Sequence, residues 1–435
     1  MKCRTVRSWS VMAALLFVAT SLFAQTPLQT ALEALPDVTQ VEKLESEFFP
    51  EKYLLHVQQH IDYNNVGLGD FSQRVFVMHR GEDRPTVMVT EGYGAAYAAS
   101  PRYIDEVARL LNANLIVVEH RYFLESTPQS VQWEYLTAEN SANDLHRINR
   151  MMHTIYTKKW ISTGISKGGQ TVMLYRTFFP DDVDISIPYV GPLCRDVEDG
   201  RHEPFLRDVV GTPEDRATIL AFQHEILDRR EALMPLMEKL CSDKGLKFRI
   251  PLEQVYDYCV LEYPFAFWQY GTPIGMIPGL DSDNETLFAH WNQISGPSYF
   301  EAESDTSPFF VQAARELGYY GYDIEPFRDK LIITDAKGYL DKIFLPEGVH
   351  IQFDPTLYQK ISHFIANSDA KFIFIYGQYD PWFAPAAPDP HRPDVLYMVV
   401  PKASHRARIG NMPEQMREMV LNTLHSWLGD EYAPW

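Results

Sequence analysis

The sequence predicts an α/β fold in which a mostly parallel sheet is flanked by helices. Three observations support this prediction. Short apolar runs typical of buried strands alternate with stretches typical of helices over residues 71–190. The alternation then stops, and it resumes near Lys371 with two further apolar runs. Polar or glycine-bearing loops follow several of these runs, as they do at the carboxyl ends of parallel strands.

The predicted elements follow an N-terminal approach segment of residues 25–60 in a regular order. Apolar runs predict strands at residues 71–77, 86–90, 114–120, 159–163, 185–190, 371–376 and 395–400. The stretches between them predict helices at residues 103–111, 138–152 and 170–176. Repeated strand-helix alternation of this kind builds a parallel sheet with helices packed on both faces.

Residues 194–355 interrupt the alternation and have a mainly helical pattern. A long amphipathic segment at 214–239 follows Thr212 and Pro213, which suit a helix cap and a first-turn proline. A second helical segment is predicted at 307–317. We therefore predict a catalytic domain formed by residues 25–193 and 356–435, and an inserted cap formed by 194–355 that roofs the site.

Aromatic side chains cluster within one predicted part of the cap. They are Tyr256, Tyr258, Tyr263, Phe265, Phe267, Trp268 and Tyr270. Two roles remain open for them, because such residues either pack a core or line a substrate pocket. Trp268 is the member that we predict to bind substrate.

The segment Gly-Ile-Ser-Lys-Gly-Gly at residues 164–169 is the most informative motif of the chain. It lies between a predicted strand and a predicted helix, where a tight turn presents a nucleophilic serine in the α/β-hydrolase fold. Such a turn needs small residues two positions before and after the serine, and Gly164 and Gly168 supply them. The motif predicts Ser166 as the nucleophile.

A serine nucleophile needs a base and a group that orients the base. Asp380 and His405 each lie just past the end of a late predicted strand, and the order Ser, Asp, His is that of α/β-hydrolases. We predict His405 as general base and then acid, and Asp380 as the orienting carboxylate. For the oxyanion hole we predict the backbone N–H of Lys167, with either the hydroxyl of Tyr93 or a backbone N–H near it.

Composition and the N-terminal residues predict where this protein is located and which classes of partner are disfavoured. Lys2, Arg4 and Arg7 precede an apolar stretch at residues 11–23, which predicts a secretory signal peptide over 1–24 and an exported, secreted or periplasmic protein. The chain of 435 residues has a formal net charge of −19. That charge argues against nucleic acid and anionic membrane surfaces as partners.

Cysteine spacing predicts no metal site, and no cofactor is expected. Cys194, Cys241 and Cys259 follow the predicted signal peptide, and none has metal-ligand spacing with histidines. In an oxidising compartment Cys241 and Cys259 are the favoured pair, although the sequence leaves open whether they are bridged.

Several motifs together resemble those of serine peptidase family 37, the streptomycete-type secreted tripeptidyl aminopeptidase group. They are the serine motif, Thr-Glu-Gly-Tyr-Gly at 90–94, Glu-His-Arg-Tyr-Phe at 119–123 and Trp-Glu-Tyr-Leu-Thr at 133–137. That group is similar to the lysosomal prolyl carboxypeptidase and dipeptidyl peptidase 7 family, which residues 59–62 and 71–74 also resemble. The resemblance spans residues 55–410 and is densest outside the cap.

The resemblance implies an α/β-hydrolase with a helical lid that acts on peptides as an exopeptidase. Relatives that cut from the amino end hold the substrate's α-ammonium group with acidic side chains, which implies Glu91 and Glu119 as substrate-binding residues. The alternative for Glu119 is a structural carboxylate paired with Arg121 or another cation. Lys167 stands where the prolyl-carboxypeptidase type has tyrosine, so a preference for proline stays open.

The predicted function is a secreted serine exopeptidase that releases di- or tripeptides from free amino ends through an acyl-enzyme. Two other functions fit the same fold. An esterase or lipase would use the same nucleophile and would turn over short acyl esters better than any peptide. A hydrolase-like binding protein would have no turnover, and the intact Ser166, Asp380 and His405 argue against it.

Overall fold

The computed structural model describes residues 25–302 and 304–429, and nine strands of this part form one sheet. The strands are β1 (Val38–Leu44), β2 (Glu51–His60), β3 (Asp70–His79), β4 (Thr86–Thr90), β5 (Asn114–Val118), β6 (Trp160–Ile165), β7 (Ile185–Tyr189), β8 (Lys371–Gly377) and β9 (Val395–Val400). Their spatial order is β1-β2-β3-β5-β4-β6-β7-β8-β9. The pairs from β1 to β3 and the pair β3–β5 are antiparallel, and every other pair is parallel.

Helices cover both faces of this sheet. The helices are α1 (Pro27–Glu33), α2 (Glu106–Leu111), α3 (Ala138–Met152), α4 (Lys167–Phe178), α5 (His202–Pro204), α6 (Pro213–Asp228), α7 (Arg230–Lys244), α8 (Leu252–Tyr270), α9 (Asn284–Ser295), α10 (Ser307–Gln312), α11 (Thr356–Asn367) and α12 (Glu414–Leu428). Apolar residues of α1, α3, α4 and α11 pack on one face, and those of α2 and α12 pack on the other. Successive strand residues alternate between the two cores, as Met88 and Val89 do. The predicted α/β-hydrolase fold, with its mostly parallel sheet flanked by helices, is confirmed.

Helices α5 to α10 lie between β7 and α11, in the segment predicted as the cap. The described residues of 194–355 form no strand, and they supply most of a large apolar core that also includes Tyr122, Phe123, Leu136 and Trp382. Tyr256, Tyr258, Tyr263, Phe265 and Phe267 are buried in that core. The boundaries drawn at 194 and 355 stay a prediction.

The single long helix predicted at 214–239 is wrong, because two helices, α6 and α7, meet at Arg229. The guanidinium group of Arg229 donates hydrogen bonds to the carbonyls of Leu280 and Ser282, at 2.6 and 2.8 Å. These tertiary hydrogen bonds stabilise the interruption between α6 and α7. Helical periodicity in the sequence does not reveal such an interruption. The predicted start is confirmed, since the Thr212 hydroxyl caps α6 and Pro213 is its first residue.

The approach segment predicted at residues 25–60 in fact contains α1, β1 and β2. Charged residues in β2 interrupt the apolar pattern that predicts a strand. One of them, Lys52, is fully buried and donates to the carbonyl of Ser100 at 2.7 Å. The helix predicted at 307–317 is present as α10, which ends at Gln312 and is followed by one π-helical turn that ends at Leu317.

Three further sequence predictions concern export, cysteines and membranes. The predicted signal peptide, residues 1–24, lies outside the described residues. Cys194, Cys241 and Cys259 are buried free thiols, so the favoured Cys241–Cys259 pair is not formed. Within residues 25–302 and 304–429, we find no helix with the length and apolarity of a membrane span.

Candidate active site

Ser166 occupies a strained turn between β6 and α4. Its backbone has φ +60° and ψ −120°, a conformation that residues other than glycine rarely adopt. The Ser166 N–H donates to the carbonyl of Tyr189 at 2.9 Å, which ties the turn to the end of β7. The turn therefore places Ser166 at the carboxyl edge of the parallel strands, as predicted for a nucleophile elbow.

Two of the three glycines of the motif, Gly164 and Gly168, lie very close to neighbouring backbone atoms. A Cβ atom on Gly164 would lie 2.4 Å from the carbonyl oxygen of Gly168. A Cβ atom on Gly168 would lie 3.0 Å from the carbonyl oxygen of Thr90 at the end of β4. The close approach of these backbones explains why the turn needs small residues at both positions.

Asp380 and His405 form a hydrogen-bonded pair at the ends of β8 and β9. Asp380 is fully buried, and its Oδ2 lies 2.6 Å from His405 Nδ1. Its other oxygen accepts the backbone N–H of Trp382 at 3.1 Å, which fixes the carboxylate orientation. The bond at Nδ1 leaves Nε2 as the proton acceptor, and among the described residues the buried Nε2 has no hydrogen-bond partner.

The cap contacts this pair directly. The backbone N–H of His405 donates to the carbonyl of Gln269 in α8 at 3.1 Å. Ser166, Trp382 and Gln269 also line one cavity of about 610 Å³ between the sheet and the cap. Its cap wall includes Tyr270 of α8 and Phe309 of α10. The cavity is thus lined by Ser166, by Trp382 next to Asp380 in the chain, and by Gln269, which binds the His405 backbone; His405 Nε2 makes no hydrogen bond to the Ser166 hydroxyl.

The loop after β4 lies against the first turn of α4. A Cβ atom on Gly92 would lie 2.7 Å from the backbone nitrogen of Gly168, and Tyr93 lines the cavity beside Ser166. Helix α4 begins at Lys167, and the first N–H groups of a helix lack intrahelical partners. The assignment of Lys167 N–H and Tyr93 to an oxyanion hole stays a prediction, and this packing is compatible with it.

The side chain of Lys167 is buried next to the nucleophile. Its Nζ has no hydrogen-bond partner in the described chain, and it lies 5.8 and 5.5 Å from the ring centres of Tyr93 and Phe123. Burial holds the pKa of Lys167 well below its usual range.

Glu119, predicted to bind substrate, lies instead in a buried ion pair. It is fully buried, and its carboxylate accepts hydrogen bonds from Arg74 at 2.5 and 2.9 Å. The Ser126 hydroxyl and the Ala95 N–H, both at 2.8 Å, complete the set of donors. Glu119 does not line the cavity. Its environment is that of the structural alternative, with Arg74 as the cation, since Arg121 pairs with Asp144.

Glu91 and Trp268 also lie off the wall of this cavity. Glu91 accepts hydrogen bonds from the Gly92 N–H at 3.0 Å and from the Tyr97 hydroxyl, and burial raises its pKa. Trp268 lines a second cavity of about 420 Å³ on the far side of α8 and packs on Tyr379. The structure therefore does not bring either side chain to the cavity of Ser166.

The Glu119 assignment gives a stability prediction. We expect Glu119→Gln to lower the free energy of unfolding by about 3–5 kcal/mol, because it removes the buried one of the two carboxylates that pair with Arg74 and puts an amide donor among the donors around it. Denaturant unfolding measures this change in the free energy of unfolding. Glu125→Gln is the matched control, since Glu125 pairs with the same Arg74 but its side chain is 64 % exposed. We expect that control to cost about 0–1 kcal/mol. A stable Glu119→Gln protein with altered substrate selection would instead favour the substrate role.

One cavity residue, Glu262 of α8, was missed by the sequence reasoning. Glu262 lines the same cavity as Ser166, and the residue is 5 % exposed. The sequence signal that could have identified it is the presence of an acidic residue within the aromatic cluster of the cap.

Comparisons with known proteins bear on the family of this chain. The family model described as PS-10 peptidase S37 matches residues 28–433. The chain is 28 % identical over 369 residues to a prolyl tri/tetrapeptidyl aminopeptidase of Streptomyces mobaraensis, covering 82 % of this chain and 75 % of that protein.

Among solved structures, a proline iminopeptidase of Mycobacterium smegmatis aligns with 13 % identity and a TM-score of 0.39, covering 82 % of this chain and 96 % of that one. The structure of VinJ aligns with 11 % identity and a TM-score of 0.41, covering 90 % and 99 %. Because the family model spans nearly all of the described residues, the chain belongs to the peptidase S37 family and is a serine peptidase of the α/β-hydrolase fold.

Proposed function

We propose that this peptidase is an exopeptidase that releases short peptides from the free amino end of its substrates. The observation that carries the proposal is the position of Ser166 on the wall of a cavity of about 610 Å³ that it shares with the cap. That volume lies in the range that holds a compact ligand of drug size, so it accepts a chain end of a few residues. An internal segment of a long chain would have to leave the cavity at both ends.

The proposed mechanism uses Ser166, His405 and Asp380. Nε2 of His405 takes the hydroxyl proton as Ser166 Oγ attacks the scissile carbonyl, and Asp380 stabilises the imidazolium through Nδ1. The oxyanion is stabilised by the N–H of Lys167 and a donor at Tyr93. His405 then protonates the leaving amine, which departs as the shortened peptide. Water, deprotonated by His405, hydrolyses the ester of Ser166 and frees the short N-terminal product.

The similarity to a prolyl tri/tetrapeptidyl aminopeptidase supports cleavage from the amino end. We extend the proposal to products of two to four residues, with proline among the residues accepted before the cut. The apolar and aromatic wall formed by Phe309, Phe310 and Trp382 suits a proline ring, which stacks on such surfaces. Export after removal of residues 1–24 is part of the same proposal and is supported by their sequence pattern.

Digestion of a mixed peptide library by the protein lacking residues 1–24, read by mass spectrometry, tests the function. Each peptide is supplied with a free amino end and as its acetylated copy. We expect ladder-like loss of short units from free ends, and far slower, though measurable, cleavage of the acetylated copies. Equal cleavage of acetylated copies, or turnover of short acyl esters without any cleavage of peptides, would contradict the proposal.

A further inference from the structure

The wall of the catalytic cavity carries a single carboxylate among its described residues, that of Glu262. The side chain projects from the middle of α8, the helix whose Gln269 carbonyl accepts the N–H of His405. Glu262 is 5 % exposed, and no described Lys, Arg or His forms an ion pair with it. A buried carboxylate without a cation is costly, unlike Glu119 with its Arg74 partner.

Tyrosine hydroxyls hold this carboxylate in one orientation. Tyr320 and Tyr322 both donate to Oε2, at 2.9 and 2.7 Å. Oε1 accepts no hydrogen bond from the described residues, so one oxygen is saturated and the other is left for a donor in the cavity. A carboxylate of purely structural role would have donors on both oxygens, as Glu119 has.

The tyrosines that line the cavity with Glu262 suit a small cation. The rings of Tyr299, Tyr319 and Tyr320 line the cavity beside Glu262, and the hydroxyls of Tyr319 and Tyr320 lie 2.5 and 3.0 Å from that of Tyr299. Hydroxyl oxygens accept hydrogen bonds, and aromatic faces attract ammonium groups. The free amino end of a peptide brings one ammonium group with three donors.

We propose that Glu262, held by Tyr320 and Tyr322, binds the α-ammonium group of the peptide whose scissile bond lies at Ser166. This inference rests on the proposed exopeptidase function and names the group that recognises the free end. A fixed anchor on α8 sets the distance from the amino end to Ser166, and therefore the number of residues removed in one cut. It also replaces Glu91 and Glu119 as the residues for this role.

The test compares Glu262→Gln with the intact protein on a peptide and its acetylated copy. Loss of a charge-assisted hydrogen bond is expected to lower kcat/KM for the free peptide by roughly 10- to 100-fold. Activity on the acetylated copy should change little, so the preference for free ends collapses. Glu253→Gln is the matched control, because it removes the same charge from an exposed position of α8. It should leave the preference unchanged.

The pH dependence of the intact protein gives a second readout that needs no variant. Burial raises the pKa of Glu262 to about 8 against the lowering effect of its two tyrosine bonds. The carboxylate is therefore lost as the pH falls below that value, whereas the α-ammonium group is lost as the pH rises above about 8. The ratio of kcat/KM for free over acetylated peptide should peak near pH 8 and fall on both sides.

Other titratable groups around Glu262 do not share this behaviour. They are Tyr270, Tyr299, Tyr319, Tyr320, Tyr322, Tyr339 and Cys259, and burial raises the pKa of each. Lys167 and Lys244 also line the cavity; the charged neighbours of Lys167 are Glu91 and Glu316, and the exposed Lys244 donates to the Ser298 hydroxyl at 3.4 Å. Glu262→Gln should remove the fall of this ratio below pH 8, which would show that the fall is due to the titration of Glu262.

The failure of this inference differs from the failure of the proposed function. A Glu262→Gln protein that keeps its preference for free ends, with Ser166-dependent cleavage at the amino end intact, would overturn the inference alone. So would a pH-independent ratio in the intact protein, even if the variant failed to fold. Absence of amino-end cleavage by the intact protein would overturn the function itself.

Discussion

Replacing Ser166 by alanine is expected to lower kcat by a factor on the order of 10⁶, the loss seen when a serine nucleophile is removed from such a triad. The reason is that no acyl-enzyme forms without Oγ, while the turn between β6 and α4 keeps its backbone bonds. The protein should unfold at nearly the same denaturant concentration, since alanine adds no atom to the cavity. Steady-state hydrolysis of a free-ended peptide and labelling by a fluorophosphonate probe measure the effect.

Ser362→Ala is the matched control for this change. Ser362 lies on α11, outside the cavity, and its buried hydroxyl has no hydrogen-bond partner among the described residues. We expect full activity and full labelling from that variant. A Ser166→Ala protein that still reacts with the probe and cleaves peptides would show that another residue is the nucleophile.

The parts of the fold that could be predicted from sequence depend on local pattern. Strands such as β4 and β9 have continuous apolar runs, and the predicted ranges 86–90 and 395–400 match them. The serine turn is likewise local, because Gly164 and Gly168 lie two residues from Ser166 and are fixed by the backbone atoms that they approach. Period and turn chemistry are sufficient for such elements.

The parts that could not be predicted depend on residues far apart in the chain. Arg229 ends α6 by binding carbonyls more than 50 residues away. Glu119 is held by Arg74, 45 residues before it, although the sequence offered the nearby Arg121 as a partner. The hydroxyls that orient Glu262 come from residues 58 and 60 positions later. Motif reading finds a carboxylate but does not tell which cation or hydroxyl the fold brings to it.

Asp380→Asn should lower kcat by about 10⁴-fold while leaving the fold intact. The buried carboxylate accepts a hydrogen bond at 2.6 Å from His405 Nδ1 and thereby keeps Nε2 free of a proton. An amide in its place turns its NH₂ group toward Nδ1, and the imidazole then carries its proton on Nε2. In that tautomer Nε2 of His405 has no lone pair with which to accept the proton of Ser166. Steady-state kinetics on a free-ended peptide, together with an unfolding curve, measure both parts.

Asp389→Asn provides the same chemical change beside another histidine. Asp389 Oδ2 lies 3.1 Å from Nδ1 of His391, whose side chain is 85 % exposed, and neither residue lines the catalytic cavity. Since water replaces the lost acceptor at this exposed pair, that variant should retain full activity. The contrast between the two variants isolates what burial adds to an Asp–His pair. If Asp380→Asn retained the rate of the intact protein, the tautomer of His405 would not depend on Asp380, and a different group would have to orient the base.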